Sequence, residues 1–214
     1  MFKKPFFILC FMICSCSNPS TPPQETSLPY DMTLLVVGDS LSAAYGIAPE
    51  EGWVHLLEQR LQNKEYKYKV INASISGDTT SGGRTRLPKA LQQYQPAIVI
   101  LELGANDGLR GLNLKAMRDN LAAMIKQSQQ IGAKVLLLGM RIPPNYGKTY
   151  TARFHQTYYD LAAAYHTPLV PFFLEGVAGD RALVQNDGIH PTAVAQERLL
   201  ENVWSVLEEI LTDN

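Results

Sequence analysis

"LLVVGDSLSAAYG", residues 34–46, decides how this chain is read: four apolar residues, two of them β-branched, stop at Gly38-Asp39-Ser40 and small, helix-compatible residues follow. A short continuous apolar run closed by glycine fits a strand covered on both faces, as parallel sheets require. Runs of the same kind cover 33–37, 68–72, 97–103, 134–139 and 168–170. Between them the apolar residues adopt helical spacing: Trp53, Leu56, Leu57 and Leu61 over 52–61, then Met117, Leu121, Met124 and Ile125 over 114–131. A closing helix is signalled by Pro191 near its first turn and by Leu199, Val203, Val206 and Ile210 on one face. This alternation predicts parallel βαβ units and an α/β fold, a three-layer α/β/α sandwich.

The chain has 214 residues, 46% hydrophobic and 18% charged, with a formal net charge of −1. That is the profile of one ordinary globular domain, and it carries no electrostatic footprint for nucleic acid. Residues 1–16, "MFKKPFFILCFMICSC", stand apart: Lys3 and Lys4 precede a short apolar run, the pattern of an export signal. The run is shorter than the about 20 residues a membrane-spanning helix needs. All three cysteines lie here, so the remainder has no disulfide framework, thiolate metal cluster or thiol nucleophile. Ile13-Cys14-Ser15-Cys16 resembles a bacterial lipobox, which would make Cys16 the lipidation site and membrane anchor; the alternative is an ordinary cleaved signal. Residues 17–30 hold four prolines without apolar periodicity and read as an extended linker. Residues 31–214 then form one domain, expected to be a monomer.

In parallel α/β sheets, reactive groups sit just beyond the carboxyl ends of the strands. Ser40 follows the first strand by two residues, at or near an expected helix start, where free backbone N–H groups favour negative charge. Asp39 or Ser40 as a mere helix cap is the competing reading. The other strand ends weigh against it. "NASISGDTT" puts Gly77 in a small-residue loop, "LELGAND" puts Asn106 just past the third strand, and "NDGIHP" sets Asp187 three residues before His190. A serine hydroxyl needs a base, which His190 supplies near neutral pH, and Asp187 can orient the imidazole. The Ser40 and Gly77 N–H groups with the Asn106 side-chain amide would make a three-donor oxyanion hole.

"GDSLS", "NASISGDTT", "GAND" and "DGIHP", in this order, resemble the four blocks of the SGNH (GDSL) hydrolases. "ELGANDGLRG" and "MRIPPNYG" are similar to its bacterial multifunctional thioesterase/lysophospholipase/arylesterase branch. The resemblance spans residues 33–204. It implies a flavodoxin-like five-stranded parallel sheet in the order 2-1-3-4-5, a Ser40/His190/Asp187 triad, no metal and no organic cofactor. It further implies small-molecule acyl esters, thioesters or lysophospholipids as substrates, with residues 141–147 as a mobile substrate loop. A carbohydrate O-deacetylase using the same triad is the alternative within enzymes. An inactive lipid-anchored binding protein and a flavodoxin-like nucleotide binder are those outside them.

Other residues are read as structural. Asp39, Asp78 and Asp107 hold turns or cap helices, His55, His155 and His166 are surface or packing residues, and Tyr158, Tyr159 and Tyr165 pack their helix. "YGKTY" lacks the first glycine of a phosphate loop, Ile142 standing in its place. Arg84 and Arg86 of "SGGRTR" are expected in a solvated loop, or otherwise against an anionic head group.

Overall fold

The computed structural model describes residues 1–2 and 30–212. Cys16 and the expected export signal and linker, apart from their end residues, lie outside the described residues. Strands β1 (Met32–Gly38), β2 (Tyr68–Asn72), β3 (Ile98–Glu102), β4 (Lys134–Leu138) and β5 (Leu169–Val170) form one sheet in the order β2-β1-β3-β4-β5. Every neighbouring pair is parallel. Leu34 to Val37 of β1 and all of β3 are buried, which is why these strands read as continuous rather than alternating apolar runs.

The helices are α1 (Trp53–Asn63), α2 (Thr80–Tyr94), α3 (Ala105–Leu109), α4 (Leu114–Gln130), α5 (Lys148–Tyr165) and α6 (Gln196–Thr212). α1 packs beside α6, while α4 lies between α2 and α5. This is the two-sided cover that right-handed crossovers impose on a sheet whose order reverses after β2. Trp53 meets Phe173 edge-on at 5.4 Å between ring centroids, and Phe154 meets Tyr158 likewise at 5.6 Å, so aromatic pairs fill the layers on either side.

Three expectations change. Residues 40–46 form turns rather than a helix: Ala43 N–H donates to the Asp39 carbonyl and Tyr45 N–H to that of Ser40, and positive φ at Ala44 (56°) and Gly46 (78°) stops propagation. Pro191 precedes the closing helix rather than opening it. It pairs with Val184 in an isolated bridge, a 3-10 turn at Ala193–Ala195 follows, and α6 begins only at Gln196. The "SGGRTR" segment is the first half of α2, not a solvated loop. Gly82, Gly83 and Pro88 depress its helical propensity, yet tertiary packing overrides it: a Cβ at Gly83 would stand 2.3 Å from Leu103 Cδ1, so the glycine lets α2 close onto the residue after β3.

Candidate active site

Ser40, at the carboxyl end of β1, lies within reach of the segment preceding α6. Its Oγ is 2.9 Å from His190 Nε2, and His190 Nδ1 is 2.6 Å from Asp187 Oδ2. Asp187 Oδ1 also accepts from the backbone N–H groups of Ile189 (2.9 Å) and His190 (3.0 Å), closing a tight turn in which Gly188 has φ +71°. The hydrogen bond from His190 is the main cause that lowers the Asp187 carboxyl to about 2, with the two backbone donors adding to it. An ionised Asp187 accepts only, so His190 carries its proton on Nδ1 and presents Nε2 as the acceptor for the Ser40 hydroxyl.

The imidazole is braced from outside as well. The Tyr45 ring packs against it at 4.5 Å between centroids, and Gln185 N–H donates to the His190 carbonyl at 2.7 Å. Gln185 Nε2 ties the Tyr45 carbonyl (2.8 Å) to that of Pro191 (3.0 Å). Neither Tyr45 nor Gln185 lies in a recognisable motif, so sequence reasoning missed both.

Asn106 stands in α3, beside the turn after β1. Its Nδ2 donates to Asp39 Oδ2 at 3.0 Å, while its Oδ1 faces Arg110 Nη2 at 3.3 Å. That polarity fixes the amide's orientation and leaves its second N–H available. Arg110 Nη2 also donates to the Gly77 carbonyl at 2.9 Å, and Gly77 has φ +79°, a conformation that suits glycine. The backbone N–H groups of Ser40 and Gly77 donate to no protein acceptor among the described residues. Ser40, His190 and Asp187 are therefore joined directly and Asn106 sits beside them, whereas Gly77 is tied to Asn106 through Arg110.

The supporting acids hold loops. Asp39 Oδ1 accepts from Leu41 N–H at 3.1 Å, and burial raises the Asp39 carboxyl from 3.8 to about 6. Asp107 accepts from the backbone N–H (2.9 Å) and hydroxyl (2.6 Å) of Thr80, anchoring the start of α2. Arg86 pairs with Asp78 at 2.7 Å and donates to the carbonyls of Ala73 and Gly38, stapling the ends of β1 and β2 together; Arg84 donates to Asn120 at 3.1 Å. His55 bonds Gln59, His155 bonds the Met140 carbonyl, His166 ends α5, and Tyr158 donates to the Leu103 carbonyl at 3.0 Å. Glu102 is fully buried at the end of β3. A charged residue in a strand apolar on both faces was the signal that could have singled it out. No group of three or more His, Cys, Asp or Glu among the described residues could hold a metal ion.

Ser40, Asn106 and His190 open onto a cavity of about 480 Å³ whose walls are largely apolar, among them Leu109, Met140, Ile142, Phe172, Leu174 and Val184. A nucleophile–base–acid chain at the mouth of an apolar cavity is arranged for acyl transfer. The family model for GDSL-like lipases and acylhydrolases matches residues 36–198. The chain belongs to this GDSL-like lipase/acylhydrolase family. It is an ester-hydrolysing enzyme. It is 55% identical over 179 residues to esterase TesA of Pseudomonas aeruginosa, covering 84% of this chain and 89% of that protein. It is 43% identical over 164 residues to the thioesterase 1/protease 1/lysophospholipase L1 of Escherichia coli K12, 77% of each chain. Among solved structures, esterase EstA from Pseudoalteromonas sp., inhibited by monoethylphosphonate, superposes with a TM-score of 0.81 at 42% identity over 86% of this chain and all of that one.

Proposed function

We propose that this acylhydrolase works through a Ser40 acyl-enzyme on carboxylic esters and thioesters, including lysophospholipids. His190 Nε2 takes the Ser40 proton as Oγ attacks the acyl carbon, and the carbonyl oxygen becomes an oxyanion held by Ser40 N–H, Gly77 N–H and Asn106 Nδ2. On collapse, the alcohol or thiol leaves with the proton from His190. Water then attacks the acyl carbon with His190 again as base, and the carboxylic acid departs from a regenerated Ser40. Asp187 stays ionised throughout and stabilises the imidazolium.

The observation that carries this reading is the unbroken Ser40–His190–Asp187 chain beside an apolar cavity. The names of the two curated relatives, an esterase and a thioesterase/lysophospholipase, support the substrate classes. The apolar walls favour acyl chains over the acetyl group of a sugar ester. Hydrolysis of p-nitrophenyl esters from acetate to palmitate tests this: turnover is expected on chains longer than acetyl, and a strictly acetyl-only profile would reassign the enzyme as an O-deacetylase.

Residues 1–16 as an export signal, 17–30 as a linker and 31–214 as a hydrolase domain complete the proposal, with a monomeric enzyme held to a membrane of the cell envelope through lipidated Cys16. No described helix is long and apolar enough to cross a membrane. Light scattering of the purified domain tests the monomer.

A further inference from the structure

The acyl-transfer steps leave one buried carboxyl unused, that of Glu102. Its Cα is the register partner of Gly38 across β1 and β3, and its side chain reaches into the turn that carries Ser40. Glu102 Oε2 accepts from Asp39 N–H at 3.2 Å and from the Ser42 hydroxyl at 2.7 Å, so it grips the chain on both flanks of the nucleophile. Gly38 makes room for it: a Cβ there would stand 2.7 Å from Glu102 Oε2 and 2.7 Å from Ser42 Oγ. The glycine that opens the "GDS" turn is thus demanded by the carboxyl rather than by a left-handed backbone.

The surroundings oppose a second negative charge. Glu102 Oε1 is buried without a hydrogen-bond partner among the described residues, a costly state for a carboxylate oxygen. The ionisable groups coupled to this region are acids, namely Asp39 in the turn, Tyr158 on α5 and Asp107 on α3, with His190 acting on Asp39 from the far side. Arg86 of α2 reaches the same strand end but its guanidinium donates to Asp78 and to the carbonyls of Ala73 and Gly38. Burial, and then the charge of Asp39, push the Glu102 carboxyl well above the usual range.

We propose that Glu102 is a positioning residue of this esterase: an uncharged carboxylic acid that sets the nucleophile turn by accepting hydrogen bonds on either side of Ser40. Its neutrality leaves Asp39 free to ionise and hold Asn106, and adds no second anion behind the site where the oxyanion forms. The inference rests on Ser40 as nucleophile.

The test compares wild type, Glu102→Gln and Glu102→Leu in p-nitrophenyl butyrate hydrolysis and in the rate of covalent labelling by a p-nitrophenyl alkylphosphonate, with Ser40→Ala as control. Glutamine keeps an uncharged acceptor and is expected to hold kcat within about threefold with an unshifted pH–rate profile. Leucine is expected to lower kcat and labelling in parallel by roughly 10- to 100-fold at constant KM, the effect of a misplaced nucleophile. Glu102→Gln as slow as Glu102→Leu, or a displaced pH profile, would show an ionised carboxylate and overturn the proposal, as would full activity in Glu102→Leu. Should the leucine variant not fold, infrared difference spectra decide: a protonated-carboxyl band at neutral pH lost in Glu102→Gln supports the proposal, and no such band refutes it. Labelling that survives in Ser40→Ala would instead bring down the nucleophile assignment.

Discussion

At the scale of the residue, function depends on which proton sits where. The hydrogen bond from His190 keeps Asp187 charged, so Nε2 faces Ser40 unprotonated. Replacing Asp187 by asparagine removes the charge that fixes this tautomer, and kcat is expected to fall by about 10⁴-fold with the fold intact. Ser40→Ala is expected to cost at least about 10⁴-fold in turnover, and near-wild-type hydrolysis by that variant would end the assignment. Asn106→Ala removes one of the three proposed oxyanion donors and should cost roughly 10² to 10³ in kcat with KM little changed. A loss confined to KM would place Asn106 in ground-state binding.

At the scale of the element, the site is held by staples between strand ends. Arg86, projecting from α2, joins the loop after β2 to the end of β1 and pairs with Asp78, whose side chain is only 12% exposed. Arg86→Met leaves the Ala73 carbonyl without its donor and strips the counter-ion from the largely buried Asp78, which keeps only the Thr79 N–H, while the Gly38 carbonyl keeps the Ile75 N–H. Urea denaturation is expected to show a loss of about 2–3 kcal/mol, accompanied by lower kcat as the Ser40 and Gly77 loops loosen. Unchanged stability would mean that water replaces the guanidinium without cost. None of this was legible in "SGGRTR", because two glycines and a following proline hide a helix whose existence depends on packing against α4, β1 and Leu103. The strands were legible: burial on both faces leaves an apolar run that no neighbouring element can disguise.

At the scale of the whole molecule, two charges respond to pH in opposite senses. Burial raises Asp39 to about 6, so the folded protein binds that proton more tightly than the unfolded chain. Its contribution is complete below about pH 4 and is lost as pH rises to about 6, on the order of 3 kcal/mol. Asp187, lowered to about 2, contributes stability above its unfolded value and loses it only as pH falls toward 2, outside that window. Stability of Asp39→Asn measured between pH 4 and pH 7 is therefore expected to lack the decline that wild type shows; parallel curves would remove Asp39 as its source. The chain also has a polarity: Tyr30 and Asp31 enter at the amino ends of the strands, beside Lys69, Tyr94 and Gly132, while Ser40 lies beyond the carboxyl end of β1. A tether from Cys16 would leave from the pole opposite the catalytic mouth. Cys16→Ser should shift the enzyme from the membrane fraction to the soluble one, and unchanged fractionation would exclude the anchor.

Local pattern by itself determined the layered α/β architecture, because two-sided strand burial is written as short continuous apolar runs and helical amphipathicity at a period of 3.6 residues. The strand ends singled out Ser40, Gly77, Asn106, Asp187 and His190, and the family resemblance matched them and added the strand order. Only the tertiary structure decided how those residues are held. Turns rather than a helix follow Ser40, Pro191 forms a bridge before α6, and Arg86, Arg110, Tyr45 and Glu102 brace the site from four separate segments. Such partners lie up to 145 residues from what they touch, as Tyr45 does from His190. Their pairing is set by how the sheet and helices close in space, and no periodicity along the chain encodes it.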